Sequence, residues 1–121
     1  MLHLEGNARQ WIINGVGGIP DRRERDSEFE DHQNLSRQEL FSRLADTIDE
    51  IDRTLARLTP AWILEPCYPQ GREVTTLEAI YHVVEHFSMH TGQIILLTKM
   101  RLGMDLEFYE FVDGVPLEQW R

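Results

Sequence analysis

The sequence predicts an all-α helical bundle, on three observations. Apolar residues recur at helical spacing in three segments, and capping signals open two of them. No strand-like alternation, internal repeat or low-complexity run stands out. The chain has 121 residues and is read as a single domain, 1–121, long enough to bury one core without staples.

The first segment runs from His3 to Asn14. Leu4, Ala8, Trp11 and Ile12 are spaced for one helical face, and Gly15, Gly17, Gly18 and Pro20 stop the helix. The other face carries His3, Asn7, Gln10 and Asn14, a polar stripe that is either solvated or lines a site. Asp21 to Asn34 reads as a polar, charge-rich loop in which His32 is exposed. Ser36 then opens a second helix, with Glu39 completing a capping box. Leu40, Leu44, Ile48, Ile51, Leu55 and Leu58 alternate in steps of four and three, so that one stripe faces the core until Pro60 ends the helix.

Ala61 to Val74 holds Pro66, Pro69 and Gly71, with Trp62 and Tyr68 between them. It reads as an ordered connector that packs its aromatic residues across the bundle. Thr75 or Thr76 caps a third helix, with Glu78 completing Thr75-x-x-Glu; the helix runs to about Leu102 with Gly103 as its C-cap. Leu77, Ile80, Val84, Phe87 and Ile94 lie on one side of it and Val83, Met89, Ile95 and Leu97 on another, which predicts a place in the middle of the bundle. The tail from Asp105 to Arg121, with Phe108, Tyr109, Phe111 and Trp120, is expected to pack back on the body.

Composition narrows function. A net charge of −9 repels phosphate backbones, and Lys99 is the only lysine, so nucleic acid is not an expected partner. Cys67 is the only cysteine, which excludes an internal disulfide and fits a reducing compartment. No apolar run reaches the roughly 20 residues a bilayer span needs, and no signal-peptide pattern opens the sequence. The expectation is a cytoplasmic protein with no membrane association.

The strongest chemical signal is His82, His86 and His90, three of five histidines at four-residue spacing, followed by Thr91-Gly92-Gln93. Residues four apart stack on one helical face, and imidazole is the commonest protein ligand for transition metals. On a buried helix each ring needs a partner. That partner is either a carboxylate such as Glu78 or Glu85, or a metal ion. One straight helix offers only two of the three rings to one ion. His82 and His90 are offset by about 80° around the axis and about 12 Å along it. The pair is therefore His82/His86 or His86/His90, and periodicity does not choose. A third ligand must come from another helix, where His3 is the best candidate.

The segments Leu2-His3-Leu4-Glu5-Gly6-Asn7-Ala8-Arg9-Gln10-Trp11-Ile12, Gly15-Val16-Gly17-Gly18 with Asp21-Arg22 and Glu28-Phe29, and Ile80 through Ile94 resemble the DinB/YfiT-like superfamily, in its uncharacterised bacterial branch. The resemblance covers most of the chain. It implies a four-helix bundle with a long crossover, usually dimeric, with a three-histidine site for zinc or nickel at one end. By motif match the metal ligands are His3, His86 and His90, and His82 stands behind them. Members normally carry a further helix before the first histidine, whereas this sequence starts two residues ahead of His3. Either that helix is lost or left out, or the start codon is misassigned; a bundle with its first helix lacking or shortened is expected to expose an apolar groove and to form a homodimer.

Three neutral imidazoles leave an open position on an ion, which is the catalytic pattern. Characterised members of the family include transferases that use low-molecular-weight thiols. The preferred function is therefore a metal-dependent transferase of that type, or a related hydrolase, acting on a small molecule. Asn7, Gln10 and Gln93 are candidates to line the pocket, and Glu85 to orient a ligand, each with a plain structural role as the alternative. Arg22, Arg23 and Arg25 either recognise an anionic substrate or are solvated. The rival class is a non-enzymatic bundle, binding metal structurally or serving as a dimeric partner protein.

Overall fold

The computed structural model describes residues 1–30 and 35–119. The expectations for His32 and Trp120 lie outside them. The chain is mostly helical with two small antiparallel ribbons. It divides into two compact units, Met1–Ser88 and Met89–Arg121, the division falling inside one continuous helix.

In the first unit, α1 (Leu2–Ala8) continues directly into a π-helical segment, Arg9–Val16. The wider coil is visible where Gly17 N–H donates to Ile12 O, five residues back, at 2.8 Å. It buries Trp11, Ile12 and Ile13 in succession, with Val16 one turn on. The helix therefore passes through Gly15 instead of stopping there. Gly15 and Gly17 serve close packing: a Cβ on Gly17 would lie 2.6 Å from Ile13 O, and one on Gly15 would lie 3.0 Å from Pro69 Cβ.

A short 3₁₀ segment, Arg25–Phe29, precedes α2 (Arg37–Leu55). The predicted capping box is formed, with Glu39 N–H donating to Ser36 Oγ and Ser36 N–H to Glu39 Oε2. The buried positions of α2 are Thr47 and Thr54, while Ile48 of the predicted stripe is 42% exposed. Polar contacts explain the offset. Arg9 donates to both Glu50 Oε2 (2.6 Å) and Thr47 Oγ1 (3.0 Å), and Thr47 donates to Glu5 Oε1 (3.2 Å). α2 ends at Leu55, short of Pro60, because Arg57 and Leu58 N–H close tighter turns onto Thr54 and Leu55.

The connector is ordered, as expected, by a ribbon of β1 (Pro66–Cys67) and β2 (Val74–Thr75), in which Cys67 opposes Val74. It does not bury its aromatic residues, since Trp62 is 42% and Tyr68 58% exposed; Cys67 and Pro69 point inward instead. α3 (Thr76–Leu102) starts at the Thr75/Glu78 cap. Trp11, Ile12 and Val16 form the core with Cys67 and Ala79; Ile51, Leu55, Ile80 and Val83 pack against it. The placement of α3 in the middle of a bundle is overturned within this chain. Only Thr76 and Ala79 are buried along it, and Leu77, Tyr81 and Val84 form an exposed apolar row. In this unit α3 buries only one face, the one that carries Ala79, Ile80 and Val83.

The second unit contains the end of α3 and a hairpin. Gly103 closes α3 with φ of 65°, and Lys99 reaches Asp105 at 2.8 Å. The tail contains strands after all: β3 (Tyr109–Val112) pairs with β4 (Val115–Glu118) around Asp113 and Gly114, both at positive φ. Asp-Gly between short apolar strands is a strong hairpin signal, here outweighed by the helical pattern elsewhere. Tyr109 and Phe111 are exposed. No helix among the described residues is long and apolar enough to cross a membrane.

Candidate metal centre

His3 sits on the first turn of α1, and His86 lies on α3 facing it, with the two Nε2 atoms 3.1 Å apart. Their rings meet edge to face, with centroids 5.0 Å apart. His90 follows His86 by one turn on the same helix. One ligand nitrogen from each of His3, His86 and His90 lies within 4.8 Å of the others, and no other such group occurs among the described residues. Two nitrogens bound to one tetrahedral zinc ion at about 2.0–2.1 Å stand about 3.3 Å apart, so the His3–His86 spacing fits a shared ion. The donor set, three imidazoles, suits zinc or nickel.

The tautomers are set from behind. His3 Nδ1 lies 3.2 Å from Glu28 Oε2, and a carboxylate only accepts, so Nδ1 carries the proton and Nε2 keeps its lone pair. Arg23 Nη2 also comes within 3.3 Å of His3 Nδ1 and makes a shorter bond, donating to Glu28 Oε2 at 2.7 Å. Arg23 Nε holds the other carboxylate oxygen at 2.6 Å, and the pair is nearly buried, with side chains 5% and 10% exposed. Burial by itself would raise the Glu28 pKa; hydrogen bonds and charge from Arg23, then His3, hold it below its ordinary 4.5. On α3, Gln93 Oε1 lies 2.8 Å from His90 Nδ1 and accepts its proton, which leaves Nε2 of that ring as the donor to a metal.

Gly6 makes the His3–Glu28 contact possible. A Cβ there would overlap Glu28 Oε1 and stand 2.9 Å from Arg23 Nε. A mid-helix glycine costs roughly 0.5–1 kcal/mol relative to alanine, and here it opens the space the carboxylate occupies.

His82 is not among the clustered nitrogens. It stacks on Trp11, centroids 3.7 Å apart, and on His86 at 5.7 Å. Burial lowers its pKa below the ordinary 6.5, with Glu85 opposing and Arg72 assisting, which favours the neutral ring. Asn7 Nδ2 lies 3.4 Å from His82 Nε2, while Asn7 Oδ1 and Trp11 Nε1 are buried with no hydrogen-bond partner among the described residues. Gln10 Oε1 accepts from Arg23 Nη1 and Gln70 Nε2, both at 2.7 Å. Gln70 adopts φ 55°, uncommon for a non-glycine residue and a local strain of about 1–3 kcal/mol. Glu85 is exposed, as is Arg22. Cys67 is buried and its thiol pKa is pushed up, mainly by burial, which disfavours the nucleophilic thiolate.

A hollow of about 600 Å³ opens beside His3, His82 and His86, floored by Asn7 and Trp11 and edged by Gln10, Gln70 and three arginines. A larger hollow of about 1060 Å³ includes Glu5, Arg9, Arg43 and Glu50 in its lining but contains no histidine. Gly6, Glu28, Gln70 and Arg72 were given no place at this site by the sequence, and Arg23, weighed there as an anion-recognising or solvated residue, holds Glu28 instead. Only the costly mid-helix glycine signalled a close approach.

Fold and site together define a mostly helical protein with a three-histidine cluster close enough to hold a metal ion. The chain belongs to the family described as "Protein of unknown function (DUF1572)", whose model matches residues 1–111. No curated protein and no solved structure matches it.

Proposed function

We propose that this chain is a divalent-metal-binding protein of the DinB/YfiT-like type that works as a metal-dependent transferase using a low-molecular-weight thiol, or as a related hydrolase. The observation that carries the reading is the facing pair of Nε2 atoms on His3 and His86 with His90 one turn away. When bound, zinc or nickel supplies Lewis acidity that favours loss of a proton from a thiol or water nucleophile. Glu28 and Gln93 fix the ligand tautomers, and His82, shielded by Trp11, closes one side against solvent. The adjoining hollow is of a size suited to a small-molecule substrate.

The exposed row Leu77, Tyr81 and Val84 supports a homodimer in which a second copy completes a four-helix bundle. That row also favours the second reading, a dimeric or metal-binding structural protein without catalysis. A rate assay separates the two. Zinc- or nickel-loaded protein is mixed with 3-mercaptopropionate and 1-chloro-2,4-dinitrobenzene; a C–S bond forms, chloride leaves and the thiol proton goes to buffer. A rate above background that disappears in His86→Ala supports the transferase. No metal-dependent rate with this pair or a panel of soft electrophiles favours the structural reading.

A further inference from the structure

The hollow beside the histidines has a charge character opposite to that of the protein. The chain carries 21 acidic residues against 12 basic ones, yet none of the ten residues lining this hollow is acidic. Three are arginines and three are histidines. Arg23 is neutralised from behind by Glu28. Arg25 and Arg72 are different: neither makes an ion pair among the described residues. The guanidinium of Arg25 rests over the Phe29 ring at 5.1 Å, and that ring in turn packs against His3 at 5.3 Å. Arg72 lies close enough to His82 to lower its pKa.

The backbone places these groups deliberately. Gln70 and Gly71 take consecutive positive φ values of 55° and 71°, which reverse the chain between Pro69 and Arg72. The turn brings the Gln70 amide onto Gln10 and sets Arg72 on the rim of the hollow. Two guanidinium groups without carboxylate partners among the described residues, in a recess lined otherwise by the Glu28-paired Arg23, amides and aromatic rings, form a recognition site for carboxylate or phosphate oxygens.

We infer that this hollow seats a small anionic substrate, whose carboxylate or phosphate group is held by Arg25 and Arg72 beside His3 and His86. The inference names the substrate class for the site proposed above and rests on that reading for its catalytic meaning, but the anion site itself needs no metal. Gln10 and Gln70 supply the uncharged part of the wall, and Trp11 the apolar floor.

The test is a titration of the full chain, metal-free and zinc-loaded, with succinate, its neutral counterpart succinamide, and inorganic phosphate. The Trp11 indole and His82 ring resonances report binding by NMR. Succinate or phosphate is expected to shift both saturably, and the tighter of the two identifies the anionic group. Succinamide is expected to bind at least about tenfold more weakly, and Arg25→Gln/Arg72→Gln to lose anion affinity by a similar factor with zinc uptake unchanged. Equal binding of succinate and succinamide, an unchanged double variant, or no binding of either anion overturns the inference. Anion binding by a protein that takes up no zinc would sink the metal reading and leave the anion site standing.

Discussion

Gly6→Ala is a small change with an effect that separates the site from the fold. On α1 alone the substitution is favourable, because alanine recovers about 1 kcal/mol of helix propensity. The added Cβ, however, occupies the position of Glu28 Oε1 and crowds Arg23 Nε. The carboxylate is the flexible partner, so it swings out, leaving Arg23 buried without its counter-charge and His3 without its acceptor. Breaking a nearly buried pair in this way costs about 3 kcal/mol, so the net destabilisation is about 2 kcal/mol. For a chain of this length that is a fall in Tm of about 8 °C. Loss of the carboxylate behind a ligand histidine weakens metal binding by about 10–100-fold. Thermal melts of metal-free protein and zinc competition against a chromogenic chelator read the two effects separately. A variant as stable as the parent, with unchanged zinc affinity, would refute the role given to Glu28 and to the glycine beneath it.

Three further outcomes follow from the same geometry. The Glu28 pKa is lowered on folding, so its contribution to stability is complete above its ordinary 4.5 and is lost as pH falls through the lower folded value; urea midpoints of wild type and Glu28→Gln should differ most at neutral pH and converge in acid. His82→Phe keeps the stack on Trp11 and loses only the long Asn7 contact, so metal content should be unchanged and stability altered by no more than about 1 kcal/mol; loss of metal would place His82 among the ligands. Cys67, buried with a raised pKa, should react with a thiol reagent only as fast as the protein opens, and rapid labelling of native protein would contradict its position in the core.

The three helices were legible because their signals are local. Ser36/Glu39 and Thr75/Glu78 close hydrogen bonds within one turn, and Gly103 takes the left-handed conformation that ends α3. The burial of α2 and α3 was not legible in the same way. A hydrophobic stripe shows which face can be buried, whereas Arg9, Glu5 and Glu50 decide that Thr47 is the residue enclosed. For the site, helical spacing narrowed the α3 ligands to two pairs, and the structure brings His86 and His90, not His82, together with His3. The supporting residues were hidden for another reason. Glu28, Gln70 and Arg72 come from connecting segments, which carry no periodicity, and they reach the histidines only through the turns at 25–29 and 69–71.

The most direct test of the central claim is the metal content of tag-free protein, measured by elemental analysis beside His3→Ala, His86→Ala and His90→Ala. Close to one zinc or nickel ion per chain, lost in all three variants, is the expected result. A metal-free protein that stays empty after reconstitution, or variants that retain the ion, would contradict a site built on these three histidines.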